Sequence, residues 1–144
     1  MNKQPLSLDH YPHRVSIPVR LDDYNFADHV DNTRFYVFFS EAIHSLLSAM
    51  QVDWENTPSI PYVAESHCRF LASIPFEANV TAGIGLSHMG NSSLKYAVAL
   101  FMEGREEPVG EGYVVHVFVD RNTERPVPMP EVVRTMGAKF LLNA

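Results

Sequence analysis

Apolar positions along the chain change their spacing repeatedly, and each change marks an element. Between residues 14 and 21 they alternate at Val15, Ile17, Val19 and Leu21, the period of a strand with one face buried. Pro18 cannot donate a ladder hydrogen bond, so this strand is expected at an edge or a bulge. After a polar stretch the spacing becomes helical, with Phe35, Phe38, Phe39, Ala42, Ile43, Leu46, Leu47 and Met50 falling on one stripe. A stripe so broad and so aromatic predicts a central helix wrapped by a curved sheet.

The second half reads as strands and turns. Pro58 and Pro61 bracket the exit from the helix, and residues 62 to 71 are the next strand candidate. Residues 78 to 88 alternate through Val80, Ala82, Ile84 and Leu86, and residues 93 to 102 through Leu94, Tyr96, Val98, Leu100 and Met102. Gly90-Asn91 between them is a hairpin turn, residues 104 to 108 make a second turn, and residues 109 to 120 form the last long strand. Gly83 and Gly85 weaken a strand unless its backbone bends or approaches something closely, and curvature around the helix is the expected reason. A strand, a helix, four strands and a polar tail from Asn122 onward together predict an α+β fold with a five-stranded, largely antiparallel sheet.

Composition narrows the function. A chain of 144 residues without repeat, linker or low-complexity tract reads as one domain. Its 46% apolar content and formal net charge of -6 suit a mildly acidic globular protein. The 11 Lys and Arg residues are dispersed, which argues against a nucleic-acid face. The first dozen residues hold no apolar signal core and no later run is long enough to span a bilayer, so a cytoplasmic protein is expected. Cys68 has no disulfide partner, His67, His88 and His116 lack the spacing of a zinc set, and no metal is assigned.

Candidate chemistry gathers in residues 19 to 42. Asp22, Asp23, Asn25, Asp28, His29, Asp31 and Asn32 form a polar loop directly before a helix whose first-turn amides are free. This stretch resembles the opening of the hotdog-fold acyl-CoA thioesterases of the 4-hydroxybenzoyl-CoA thioesterase type. Val19, Arg20, Asp23, His29, Val30, Asn32 and Phe35 stand where that family has a valine, an arginine, an acidic residue, His-Val, an asparagine and an aromatic. Arg69-Phe70-Leu71, Gly90-Asn91-Ser92-Ser93-Leu94, residues 112 to 121 and residues 126 to 130 continue the likeness, which covers about residues 14–132. It implies that residues 1–144 form a hotdog domain with that core. One position departs: the family's commonest catalytic aspartate falls on Asn25, whose amide cannot serve as a general base or a nucleophile at neutral pH.

The resemblance implies an acyl-CoA thioesterase that needs no cofactor beyond the CoA of its substrate, assembled as a homodimer or a dimer of dimers with active sites between subunits. Amides around Thr33, Arg34 and Phe35 would form an oxyanion hole, with Asn25 orienting water or the carbonyl. The base would be Asp23, or Glu41, which follows Ser40 at the family's frequent glutamate position and points about 100° away from it. His29 and Asn32 would contact the acyl group or fix the helix entrance, and Arg69, Ser92 and Ser93 would hold CoA.

Each candidate also has a purely structural reading: an Asx turn at Asn25, a pairing with Arg20 for Asp23, a solvated helix face for Glu41, a carboxylate partner such as Glu65 for Arg69, a helix cap at Asp28 or Asp31. Asp28 stands where relatives have glycine, and aspartate tolerates a positive φ better than most residues. The alternatives are an acyl-thioester binding protein that has lost its base, an acyl-carrier-protein thioesterase, and a dehydratase using His29 with Asp23.

Overall fold

The computed structural model describes residues 6–142, so the outermost residues of the expected 1–144 domain lie outside the description. Along the chain run β1 (His13–Ile17), α1 (Asn32–Ala49), β2 (Ser59–Phe70), β3 (Val80–Met89), β4 (Ser93–Met102), β5 (Gly110–Asp120) and α2 (Glu131–Gly137), with short 3-10 turns at Leu8–His10, Leu21–Asp23 and Ala138–Phe140. The strands make one five-stranded sheet in the order β1-β3-β4-β5-β2, and every neighbouring pair is antiparallel. The central β3-β4-β5 meander is flanked by β1 and β2, which come first in sequence and sit on opposite edges because α1 lies between them.

α1 supplies the core. Phe35, Phe38, Phe39, Ala42, Ile43 and Leu46 are buried along it, packed in one cluster with Ile84, Leu86, Tyr96, Leu100, Val114 and Phe118 from the concave face of the sheet. Each large apolar side chain withdrawn in this way contributes about 1.5–3 kcal/mol before the cost of ordering it. Register shifts between Val63 and Glu65 and between Leu86 and His88 curl the sheet around the helix. Past the helix, Trp54 stacks on Phe118, and Arg121 donates hydrogen bonds to the carbonyls of Trp54 and Thr57, fixing the connection to β2. Among the described residues no helix is long and apolar enough to cross a membrane.

Three expectations change. β1 ends at Ile17 instead of continuing to Leu21, because Pro18 stops the ladder and the chain turns into the Leu21–Asp23 3-10 turn, leaving Leu21 on the surface. Within the expected polar tail, residues 131–137 form α2, started by Pro130 and anchored by buried Val133. Gly83 and Gly85 have a reason besides curvature: a Cβ at Gly83 would lie 2.8 Å from the Tyr11 ring, and one at Gly85 2.7 Å from Pro12. The N-terminal segment is laid flat across the outer face of β3 and requires both glycines.

Two polar side chains are buried together beneath β4 and β5. The Tyr96 hydroxyl and His116 Nδ1 are 3.0 Å apart, Tyr96 is wholly buried and His116 nearly so. Burial, with a smaller contribution from neighbouring His44, pushes the His116 imidazole down to about 4, and burial raises the Tyr96 phenol. Both groups are neutral at physiological pH.

This packing makes two predictions. Gly112 sits opposite Cys68 in the β2–β5 ladder, and a Cβ there would fall 1.8 Å from the His67 carbonyl oxygen, a backbone atom with nowhere to go. Gly112→Ala is expected to cost about 3 kcal/mol or more in urea unfolding, against about 1 kcal/mol for Gly104→Ala, where φ is +86° but space is open; a wild-type midpoint for Gly112→Ala would refute the close approach. The unfolded chain takes up a proton at His116 more readily than the native one, so stability is expected to fall as pH drops from 6.5 towards about 4. Over that interval the loss is about 3 kcal/mol, and a Y96F/H116F double variant should show a correspondingly flatter stability–pH profile.

Candidate active site

The loop between β1 and α1 is built around one buried carboxylate. Asp23 is 3% exposed, and its Oδ2 accepts the Arg20 amide at 2.7 Å while its Oδ1 lies 3.7 Å from Arg34 Nε. Its backbone carbonyl accepts the Asp31 amide at 2.9 Å. One residue thereby ties the end of the β1 segment, the far side of the loop and the first turn of α1 into a single unit.

Between those ties the chain makes a tight excursion. Tyr24 bridges to Val30, the Asn25 amide donates to the His29 carbonyl at 2.8 Å, and the Asp28 amide donates to the Asn25 carbonyl at 3.1 Å. Asn25 Oδ1 accepts the Ala27 amide at 2.9 Å, an Asx turn that closes the loop from inside. Asp28 has φ +61°, the left-handed conformation that glycine or a short polar residue can adopt. His29 and Val30 are held from the other side by Pro75 and the Ile74 carbonyl.

Asp31 caps α1, with Oδ2 accepting both the amide and the hydroxyl of Thr33. These bonds, aided by the Asn25 side-chain carboxamide and Arg34, hold its carboxyl below the usual carboxylate range. The Arg34 amide donates to the Asp31 carbonyl at 2.9 Å. Free first-turn amides expected around residues 33–35 are thus taken at Thr33 and Arg34 by the cap. Among the described residues the Asn32 amide has no hydrogen-bond partner, and it is an open donor at the positive end of the helix.

Beside this amide is a cleft of about 350 Å³ lined by Asn25, His29, Asn32, Phe35, Phe70 and Ser73, among others. Phe35 and Phe70 meet edge to face with centroids 5.0 Å apart, giving the cleft an aromatic floor. It therefore combines an unpaired amide, two carboxamides, an imidazole and an apolar surface.

The other sequence candidates lie elsewhere. Asp23 is sealed behind the loop, and Glu41 turns to accept the Arg20 guanidinium at 3.1 Å on another face of α1. Arg34 reaches back to the Asp22 carbonyl. Arg69 is on β2 next to Phe70, so its side chain leaves by the opposite face of the sheet, where it pairs with Glu111 rather than Glu65. Ser92 and Ser93 lie in the β3–β4 turn at the other end of the sheet from Phe70, as the pairing of Ser93 with Val117 and of Phe70 with Gly110 requires.

A second cavity of about 390 Å³ lies further along α1, between that helix and β2 and β5, with Tyr36, Ser40, His44, Ser66 and His116 among its lining. Ser40, the residue at the family's glutamate position, opens into it, while Glu41 does not. Phe70 is visible in the Arg69-Phe70-Leu71 pattern, but nothing in the sequence marks Ser73 or the pairing of His116 with Tyr96.

A family model described as the thioesterase-like superfamily matches residues 19–136. No curated protein matches the chain. Among solved structures, the PA5185 protein of Pseudomonas aeruginosa PAO1 is 33% identical, with a TM-score of 0.90 over 99% of each chain. A thioesterase from Thermus thermophilus, complexed with coenzyme A and Zn, is 27% identical, with a TM-score of 0.77 over 90% of this chain and 93% of that one. The SAV2348 protein of Staphylococcus aureus, solved in complex with CoA, is 14% identical and shares the fold, with a TM-score of 0.81 over 96% of this chain and 85% of its own. Among the described residues no three His, Cys, Asp or Glu side chains are grouped as a metal site would need. With a sheet curled around one long helix and a match over most of its length, this chain has the hotdog fold and belongs to the thioesterase-like superfamily.

Proposed function

We propose that the protein hydrolyses acyl-CoA thioesters at the cleft beside the start of α1. The observation that carries this reading is the convergence there of the open Asn32 amide, the His29 imidazole and the Asn25 carboxamide over an aromatic floor. The thioester carbonyl oxygen points at the Asn32 amide, where the helix end stabilises the negative charge of a tetrahedral intermediate. His29 takes a proton from water as the water oxygen bonds to the carbonyl carbon, and Asn25 orients that water. The intermediate collapses by breaking the C–S bond, releasing the acid and CoA thiolate.

His29 is preferred as the base over Asp23 and Glu41, because it is the group among the three that lines the cleft. Asp23 keeps the loop in register and Glu41 steadies Arg20.

CoA needs partners that one copy does not bring to the cleft. β2 is an edge strand of 12 residues whose outer ladder pairs with no other strand among the described residues. Antiparallel pairing of β2 with the β2 of a second copy carries the Ser59 end of one molecule towards the Phe70 end of the other, and the Ser92-Ser93 turn travels with it. A homodimer formed in this way supplies those serines to the CoA of the neighbouring site. The CoA complexes of the T. thermophilus and S. aureus proteins support the ligand class.

Asn25 favours one second reading, an acyl-thioester binding protein without turnover, since its carbonyl oxygen is already committed to the loop. Purified protein given a panel of aromatic and aliphatic acyl-CoAs, with thiol release followed, is expected to turn over. His29→Gln should lower kcat by about 100-fold or more, while D23N and E41Q should lower kcat much less and D23N should show its effect in thermal stability. Collapse of kcat in E41Q with H29Q active would move the base to Glu41. No turnover by wild type, with activity gained in N25D, would establish the binding protein; silence in both would direct the test to carrier-protein thioesters.

A further inference from the structure

The second cavity along α1 holds a polar group that the hydrolytic chemistry does not use. Its walls are apolar at Ile43, Leu47, Val63 and Val114, and His116 lies at its inner end. The tautomer of His116 follows from its partner. The Tyr96 hydroxyl is fully buried, and His116 Nδ1 is its sole hydrogen-bond partner among the described residues. If Nδ1 carried the proton, the tyrosine proton would be stranded in the core, at a cost of about 1–3 kcal/mol. Tyr96 therefore donates to Nδ1, and the imidazole carries its proton on Nε2.

That Nε2–H bonds to nothing else among the described residues. It is not sealed in the protein either, because no fully enclosed side-chain nitrogen or oxygen among the described residues lacks a partner. The donor thus opens into the cavity that His116 lines. The Tyr36, Ser40 and Ser66 hydroxyls and the His44 imidazole also line the cavity, but the His116 Nε2–H is the donor whose direction a buried partner fixes. A fixed donor among apolar walls favours a ligand that is mostly hydrocarbon and offers one acceptor at the matching depth.

The depth is set by α1. The cavity is lined from position 36 to position 47, with Ser40 and His44 in its middle, and the open amide of the cleft is at Asn32. At 1.5 Å per residue, Ser40 and His44 lie about 12–18 Å along the helix from that amide. The Tyr36 ring lines the cavity and the Phe70 ring lines the cleft, and the two meet edge to face with centroids 6.3 Å apart, so the two spaces adjoin at this pair of rings. A substituent on the α or β carbon of an acyl group bound at the cleft falls well short of His116, as does the far edge of a single aromatic ring.

We propose that His116 is a specificity-determining residue, whose Nε2–H selects acyl chains of medium length bearing a hydroxyl or carbonyl oxygen near their far end. Tyr96 is a positioning residue that fixes the tautomer. The assignment rests on the thioesterase reading for the orientation of the chain, with the acyl carbonyl at the cleft and the distal oxygen at His116.

The test compares ω-hydroxydecanoyl-CoA with decanoyl-CoA as substrates, and the two free acids as ligands in calorimetry. Wild type is expected to favour the hydroxylated thioester by about 10-fold or more in kcat/KM, expressed mainly in KM. In Y96F/H116F, which removes both polar partners together and leaves no orphan in the core, the ratio should fall to about 1 or below. Y96F alone should lower the ratio part-way through KM, because the imidazole is then free to exchange tautomers. Equal or reversed preference in wild type, or a preference that persists in Y96F/H116F, would overturn the assignment. If no thioester is hydrolysed but wild type binds the hydroxy acid at least about 10-fold more tightly and the double variant does not, the pocket assignment stands and the hydrolytic reading fails. Absence of both turnover and binding preference would overturn the assignment as well.

Discussion

A helix in which Phe38, Ala42 and Leu46 are wholly removed from water must be surrounded over most of its circumference, and this chain has one sheet with which to do it. The sheet meets that demand by curling. Its two bulges bend β2 against β5 and β3 against β4, and the strands on either side of α1 in sequence close the two edges. What cannot be covered is the start of the helix, since β1 gives way there to a loop that has to turn back into the helical axis. The opening for a ligand is thus a by-product of the enclosure that holds the helix.

The electrostatics of that opening are set by competition. The positive end of α1 attracts negative charge, and the Asp31 carboxylate takes up part of that attraction, through the amide and the hydroxyl of Thr33. Asp23 takes the amide preceding the loop and faces Arg34. With two carboxylates already satisfied by structural partners, the cleft itself is lined by the side chains of Asn25, Asn32 and His29 beside the unclaimed Asn32 amide. An anionic intermediate meets no carboxylate lining the cleft, and the loop keeps its shape without needing a ligand.

The scaffold is readable in the sequence because its periodicities are long and clean. The α1 stripe and the β4 alternation leave no competing arrangement, and the expected bounds of β4 match the strand to the residue. The errors have local physical causes. Val19 and Leu21 continue an alternation that Pro18 has already terminated, so the pattern outlasts the strand. α2 is seven residues long, too short for helical spacing to stand out from a Pro-rich tail. Gly83 and Gly85 announce a close approach, but only the folded chain reveals that the Tyr11-Pro12 segment is what approaches. In the loop, composition locates the chemistry without apportioning it. Nothing in the order of residues tells that Asp23 faces inward and His29 outward, because Asp23 is turned in by the way the loop folds back onto Arg20 and Arg34, and the His29 side of the loop is held by the distant Ile74-Pro75 segment. The pairing of Tyr96 with His116 is likewise a diagonal contact between two strands, invisible until their register is known.

The strand order also governs how the molecule comes into being. β3, β4 and β5 are joined by short turns and can pair as soon as they are made, whereas β1 must find β3 and β2 must find β5 across long stretches of chain. Closing such loops costs entropy before the contacts return anything, which places this fold among the slower ones for its size. Until those edges close, the aromatic side of α1 has no complete cover. The same wrapping that gives the native state its core leaves the half-folded chain with its stickiest surface exposed, so the period of greatest danger from aggregation falls before the last edge strand docks.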